Sequence, residues 1–403
     1  MTTITHRGLE IKTDEMEVPE ATAPLDVLHN YYWVSTKEPH AIRRKAILKA
    51  HPEVKRLMGH EPLTKYLASL VVLTQLGIAY YLRRDTSWWT TVFLAYVVGA
   101  TLTNNMYLAV HEITHNLAFK KPLYNKIFAV FVNTPVPLPY AADFGPYHQL
   151  HHKFLGDELY DTDIPTEFEA KFLKGRVGKF FFVLFQALFF ALRPIFVVTI
   201  SLTKFHIANI TYQILFDIFW IRYFGFQSFM YLGFSSLLAG SFHPLSGHFI
   251  AEHFLFDLEE AWKGGKETYR YTNGQEEQYT ESEKKEIANI RPEVEFKREY
   301  ALETYSYYGI LNLFVWNAGL HNEHHDFPFI AWSKLWDLHN MAPEFYKPLP
   351  KHDSWCKAIF DFVFRADLNL YSRVKRANPQ ITKEKGLKKQ RELRQREMQR
   401  SSQ

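Results

Sequence analysis

Apolar residues along this chain of 403 residues gather into long runs that charged stretches interrupt. A helix needs about 20 mostly apolar residues to cross roughly 30 Å of hydrocarbon, and four segments reach or approach that length. Residues 66–82 carry no charge and close at Arg83-Arg84-Asp85, while 88–110 opens on Trp88-Trp89, an aromatic pair suited to a membrane–water interface. So short a connection predicts a helical hairpin. Residues 1–65 and His111 then share one side of the membrane. A second hairpin is predicted from 205–221 and 226–251, turning around Arg222–Gly225. Asp217 is its weakest point, because a carboxylate at membrane depth is costly unless it is paired or near an interface.

Two other apolar stretches do not read as spans. Residues 127–144 contain Pro135, Pro137 and Pro139, which forbid a continuous helix, and 180–192 makes only about three turns; both are expected to be re-entrant or interfacial. The region 257–302 is charged, holds glycines and has few aliphatic residues, so it reads as a cytosolic insertion, partly disordered or a small helical excursion. The expected division is a cytosolic N-terminal region, 1–65, a main domain, 66–375, and a basic, disordered tail, 376–403. An even number of crossings precedes each histidine cluster described below, which puts all of them on one face with both termini.

Charge gives that face a side. Arg43, Arg44, Lys45, Lys49, Lys55, Arg56 and Lys65 make the N-terminal region basic, and basic flanks stay in the cytosol. Arg83 and Arg84 pull mildly the other way, whereas Arg193 and Lys204 support the cytosolic side for the middle connection. The tail from Arg373 to Arg400 is strongly basic, as expected of a segment that is solvated or lies against anionic headgroups. Met1–Pro24 has no apolar core of a cleavable signal peptide. The lone cysteine, Cys356, excludes an intrachain disulfide, so any metal must rest on histidine and carboxylate.

Of the 19 histidines, eight fall into three boxes: His111-x3-His115, His148-x2-His151-His152 and His321-x2-His324-His325. Spacings of three and four place the imidazoles of each box on one helical face. One zinc uses three or four ligands. Eight nitrogen donors converging on one face suit two borderline metal ions with open positions, the arrangement oxygen-activating iron needs. The expected fold is therefore an all-α membrane protein of about four transmembrane helices in two hairpins, with a cytosolic histidine-rich di-metal cap. A rival reading takes His111-Glu112-Ile113-Thr114-His115 as the zinc-protease pattern with Glu112 as general base, but it leaves six histidines unused. Between the second hairpin and the last box, His253 is a candidate ninth ligand; His248 is a further candidate, and His248 and His243 could instead fix ligand tautomers. Glu112, Glu252 and Glu323 either orient imidazoles or are interfacial carboxylates.

These boxes resemble those of the membrane-bound fatty-acyl desaturase and hydroxylase superfamily. The strings Tyr32-Trp33 through Arg43-Arg44, Asp161-Thr-Asp163-Ile-Pro165, Gly247-His248-Phe-Ile-Ala-Glu-His253, and Glu303-Thr-Tyr-Ser-Tyr-Tyr-Gly309 ahead of the third box are similar to those of the sphingolipid delta-4 desaturases. The likeness covers about residues 30–375 apart from 257–302, which is longer than in animal members and suggests a fungal type. Met1 is not followed by glycine, so the N-myristoylation of some animal members is not expected. The resemblance implies insertion of a trans 4,5 double bond into dihydroceramide to give ceramide, two iron ions, O2 as co-substrate, and electrons from cytochrome b5 and its NADH-dependent reductase at the endoplasmic reticulum membrane. C4-hydroxylation of the sphingoid base is the nearest alternative, since the same oxidant can return oxygen instead of removing a second hydrogen.

Overall fold

The computed structural model describes residues 31–33, 38–84, 87–198, 202–256, 269–272, 275–278 and 303–376. It is mostly helical. A short strand β1 (Tyr32–Trp33) precedes α1 (Pro39–Ala50). Proline at the first helical position and the Glu38 carboxylate, which accepts the Ala41 N–H at 3.0 Å, start α1. Its buried face, His40, Arg43 and Ile47, has the period of a helix packed on one side.

Two helices are long and apolar enough to cross a membrane: α2 (Leu63–Tyr81) and α3 (Trp88–Thr114). In α2 the residues Thr64, Ala68, Val72, Gln75 and Ala79 pack inward at spacings of three and four, while Tyr66, Leu70 and Leu73 stay exposed. Apolar residues on both faces are what a lipid-facing helix requires. The Ser87 hydroxyl caps α3 by accepting the Trp89 N–H, and a π-turn at Ala95–Gly99 interrupts its α-helical bonding. Gly99 is required there, because a Cβ would meet the Ser235 hydroxyl at 2.0 Å.

After α4 (Pro122–Asn133) the three prolines break the chain as expected, and α5 (Ala141–Lys153) follows. The Asn133 side chain bridges the break: its amide donates to the Val136 and Leu138 carbonyls, and its oxygen accepts the Ala141 N–H at 2.9 Å. A short α6 (Glu167–Phe172) leads to α7 (Gly175–Leu184) and α8 (Gln186–Val197), which bend by 87° and form a broken span or a re-entrant loop.

Helices α9 (Lys204–Phe224) and α10 (Phe226–Ala239) form the second hairpin, closed by Gly225 at φ 88°. The first arm is a helix over the expected residues but, unlike α2 and α3, is not among the helices apolar enough to cross a membrane by length and composition, and its Asp217 accepts the Gln213 amide at 2.9 Å. The second arm differs. The expected helix over 226–251 stops at Ala239, and its 14 residues cover only about 21 Å. Gly240 lies so close to Ala187 of α8 that a Cβ would meet the Ala187 Cβ at 2.0 Å, and His243-Pro244 turns the chain into a 3-10 turn and α11 (His248–Ala251). Ala79, Leu82, Ala95, Trp220, Tyr231 and Leu232 form one cluster, so both hairpin turns lie at the same end of the bundle.

The helical excursion considered for 257–302 is corrected in part: β2 (Tyr269–Thr272) and β3 (Gln275–Gln278) pair antiparallel, and the rest of that region lies outside the described residues. Beyond it come β4 (Ser306–Tyr307), α12 (His321–Asp326), α13 (Leu335–Met341), α14 (Pro343–Tyr346), β5 (Lys351–His352), α15 (Trp355–Phe364) and β6 (Val374–Lys375). Strands β4 and β5 pair in parallel, as do β1 and β6, with Tyr32 opposite Val374. Thus the chain's first and last described segments pair with each other. Arg376, read as the head of the tail, is part of that closure: its guanidinium donates twice to the Glu303 carboxylate. Residues 1–30 and 377–403 lie outside the described residues.

Candidate metal centre

The boxes arrive from three directions. His111 sits in the last turn of α3 and His115 caps it. His148, His151 and His152 lie on α5, and His321, His324 and His325 on α12, a six-residue helix in which every residue is buried. His253 follows α11. Two groups result. His111, His115, His148, His152 and His324 each present a ring nitrogen within 4.8 Å of all the others, and so do His151, His253 and His325. His321 joins the second group, with its Nε2 at 2.8 Å from the His253 Nε2. The rings of His152 and His325 stack at 4.1 Å, so the groups are neighbours.

Spacing between nitrogens tests whether metal fits. The Nε2 atoms of His115 and His148, of His152 and His148, and of His151 and His253 each stand 3.0 Å apart, and those of His324 and His152 stand 3.2 Å apart. Two imidazole nitrogens each about 2.1 Å from one ion, at right angles, are about 3.0 Å apart. The rings are therefore spaced as donors around a shared centre. Protonation agrees. Burial, and then neighbouring imidazoles, hold His148, His152, His324, His325 and His253 well below the usual histidine range; burial brings His321 down to about 4 despite Glu252. Neutral imidazole is the ligating form. His151 is the exception: burial opposes its charge, but Asp163 and Asp161 outweigh burial and hold it up at about 9. Its Nδ1 lies 2.8 Å from the Asp161 carboxylate, leaving Nε2 for the centre. A carboxylate behind a ligating imidazole is a recurring support of metal sites.

Asp161 is itself held by the Gly156 and Asp163 N–H groups at 2.7 and 3.0 Å. The third box has a different support, from far away in sequence. The Arg43 guanidinium of α1 donates to both oxygens of Asp326, at 2.6 and 2.9 Å, and to the Asn322 side-chain Oδ1 at 3.2 Å. His40 places its Nδ1 at 2.8 Å from the same carboxylate, and its ring lies 4.8 Å from that of His325. Glu323 points to the other side of α12, where Tyr308, Ser306 and His339 bond its carboxylate. In the sequence Asp161 and His40 stand only within the family-like strings, Arg43 also among the basic N-terminal residues, and neither they nor Asp326 are marked as supports of the boxes. The usable signal was Asp326 directly after a ligand box, and His40 and Arg43 three apart on a helix.

The remaining candidates fall outside both groups. His248 lies 3.6 Å from Glu252, which stands at the same distance from His321. His243 accepts the Leu245 N–H and borders Asn104, beyond the rings. Glu112 accepts the Trp332 backbone N–H at 3.1 Å, so its carboxylate is engaged as a structural acceptor, and His111 and His115 share their group with three further histidines rather than forming a zinc-protease set.

Comparison with known proteins converges on one activity. Residues 27–63 match the family described as Sphingolipid Delta4-desaturase (DES), and residues 87–355 match Fatty acid desaturase. The sphingolipid delta(4)-desaturase of Candida albicans is 47% identical over 374 residues, covering 93% of this chain and 95% of the relative. That of Schizosaccharomyces pombe is 42% identical, covering 87% of this chain and 88% of the relative, and the Homo sapiens sphingolipid delta(4)-desaturase DES1 is 39% identical, covering 86% and 95%.

Proposed function

The chain belongs to the sphingolipid delta(4)-desaturases of the fatty acid desaturase family, and from that premise we infer that it is a membrane oxidoreductase that converts dihydroceramide to ceramide. Two hydrogens leave the sphingoid base at C4 and C5 as a trans double bond forms. One O2, two electrons and two protons complete the balance as two waters. The observation that carries this reading is the convergence of nine histidines from three boxes and His253 into two neighbouring groups.

In this reading His111, His115, His148, His152 and His324 hold one iron, and His151, His253, His321 and His325 hold a second. Iron with O2 supplies an oxidant strong enough for an unactivated C–H bond. The protein's own share is placement and dryness. Asp161 sets the tautomer of His151 so that Nε2 is free to donate. Arg43 and His40 tie α12 to α1 through Asp326. Every residue of α12 is buried, which keeps bulk water from the rings it presents. Electrons come from outside, because the chain carries no flavin or haem motif; cytochrome b5 and its NADH-dependent reductase are the proposed source. Four crossings, α2, α3, α9 and α10, with α10 completing its crossing beside the bent pair α7–α8, leave the histidines, α1 and β6 on the cytosolic face of the endoplasmic reticulum.

Lipid analysis of membranes that express the chain and are fed dihydroceramide tests the proposal, together with iron analysis of the purified protein. Ceramide, with about two irons per chain, is expected. Accumulation of the 4-hydroxylated base without the 4,5-alkene would overturn the desaturase reading in favour of hydroxylation.

A further inference from the structure

Residues 304–320 contain no aspartate, glutamate, lysine, arginine or histidine. Within them the 3-10 turn Ile310–Phe314 leaves the cap and exposes Ile310 by 72%, Leu313 by 77% and Phe314 by 47%. Three exposed large apolar side chains in five residues need a partner. Two bonds show at what depth the turn lies. The Asn105 side chain donates to the Phe314 carbonyl at 2.8 Å, and the Trp316 indole N–H donates to the Asn105 carbonyl at 2.8 Å. Asn105 belongs to α3. With Trp88 and Trp89 exposed at one interface, about 20 residues of rise place the other hydrocarbon boundary near Leu108, so Asn105 lies about 4 to 5 Å inside it.

The turn's backbone is equipped for that medium. The Asn312 side chain donates to the Tyr307 carbonyl at 2.7 Å and accepts the Gly319 N–H at 2.8 Å, tying the descending leg to the returning one. Trp316 and Asn317, at φ 55° and 54°, reverse the chain, and Gly319 is obligatory because a Cβ would meet the Tyr307 carbonyl at 2.5 Å. Irregular backbone is tolerated at membrane depth only where its polar groups are satisfied by protein.

We propose that Ile310–Phe314 is a wedge inserted among the lipid acyl chains of the membrane leaflet on the metal side, bolted to α3 through Asn105. Its returning leg runs directly into His321, so the wedge fixes the depth at which the third box meets the bilayer. The proposal rests on α2 and α3 crossing the membrane, and the test separates the two. In the full-length chain with Cys356→Ser, a nitroxide is attached to a single cysteine at Leu313→Cys, at Leu73→Cys on the exposed face of α2, or at Lys347→Cys on the cap, each in phosphatidylcholine bilayers. Collision with O2 and with a water-soluble nickel chelate is then measured. The Leu313 label is expected to favour O2 over nickel as the Leu73 label does, at a shallower depth, and Ile310→Cys is expected to repeat the result. Nickel access equal to that at Lys347 overturns the wedge while leaving the spans standing. Protection from both reagents also overturns it, since a second copy or another protein then covers the turn; an aqueous Leu73 label overturns the spans themselves.

Discussion

Replacing Arg43 by methionine keeps an unbranched stem but removes the guanidinium, and with it the charge that α1 presents to α12. In the folded protein Arg43 is 4% exposed and Asp326 fully buried, and the two share bonds of 2.6 and 2.9 Å. Breaking a buried pair by removing one partner costs about 3–5 kcal/mol, because the remaining charge is stranded, against a total stability on the order of 5–15 kcal/mol for a typical domain. The pH dependence has a definite sign. Burial already pushes the Asp326 carboxyl up to about 6, with Arg43 restraining the rise; without Arg43 it rises further. At pH 8 the variant must bury a poorly compensated carboxylate or take up a proton, whereas near pH 5.5 both proteins hold the acid largely neutral. The deficit is therefore largest at high pH and shrinks as pH falls. Thermal inactivation of the purified protein in detergent, followed at pH 8 and pH 5.5, measures it, and the loss at pH 8 should amount to roughly 5–10 °C. Arg43→Met with Asp326→Asn should recover part of the loss, since no charge is then stranded. A melting point within a degree or two of the parent at pH 8, or a double variant as weak as the sum of the two singles, would refute the stated role of the pair.

Other outcomes follow from the same geometry. His148→Ala and His324→Ala, each in the five-membered group, should abolish ceramide formation and lower bound iron while membrane insertion, read by carbonate extraction, is unchanged. Asp161→Asn preserves shape but no longer favours the Nδ1 proton of His151, and iron affinity should fall about 10–100-fold in competition with a chelator. Metal-free protein should be acid-sensitive: the depressed histidines stay neutral in the folded state but charge in the unfolded chain, so stability present above about pH 6.5 is lost as pH falls towards 4. A flat melting profile over that range would contradict the packing of those rings.

The boxes were legible because metal chemistry demands several histidines at helical spacing, and the first hairpin because a charge-free run ending at Arg83-Arg84 can hardly do anything but turn. The end of α10 was not, because it depends on Gly240 meeting Ala187, a contact absent from local apolarity. Nor was the role of α1: Arg43 finds Asp326 across 283 residues, and no periodicity reports such a pairing. The Ile310–Phe314 turn escaped because it is too short to register as a span, although its lack of charge was visible. For β2 and β3, the Asn273-Gly274 pair between them was a hairpin signal that the charged surroundings concealed.

The pairing of the first described segments with the last also imposes a timetable. At about 5–20 residues per second, Arg43 leaves the ribosome roughly 15–60 s before Asp326 exists to receive it. A nascent chain paused just before His321 already owns four of the five rings of one group but only His151 and His253 of the other. Under the proposed di-iron reading, the first site would have four of its five ligands in place during synthesis, whereas the second would gain two of its four, His321 and His325, only with the third box.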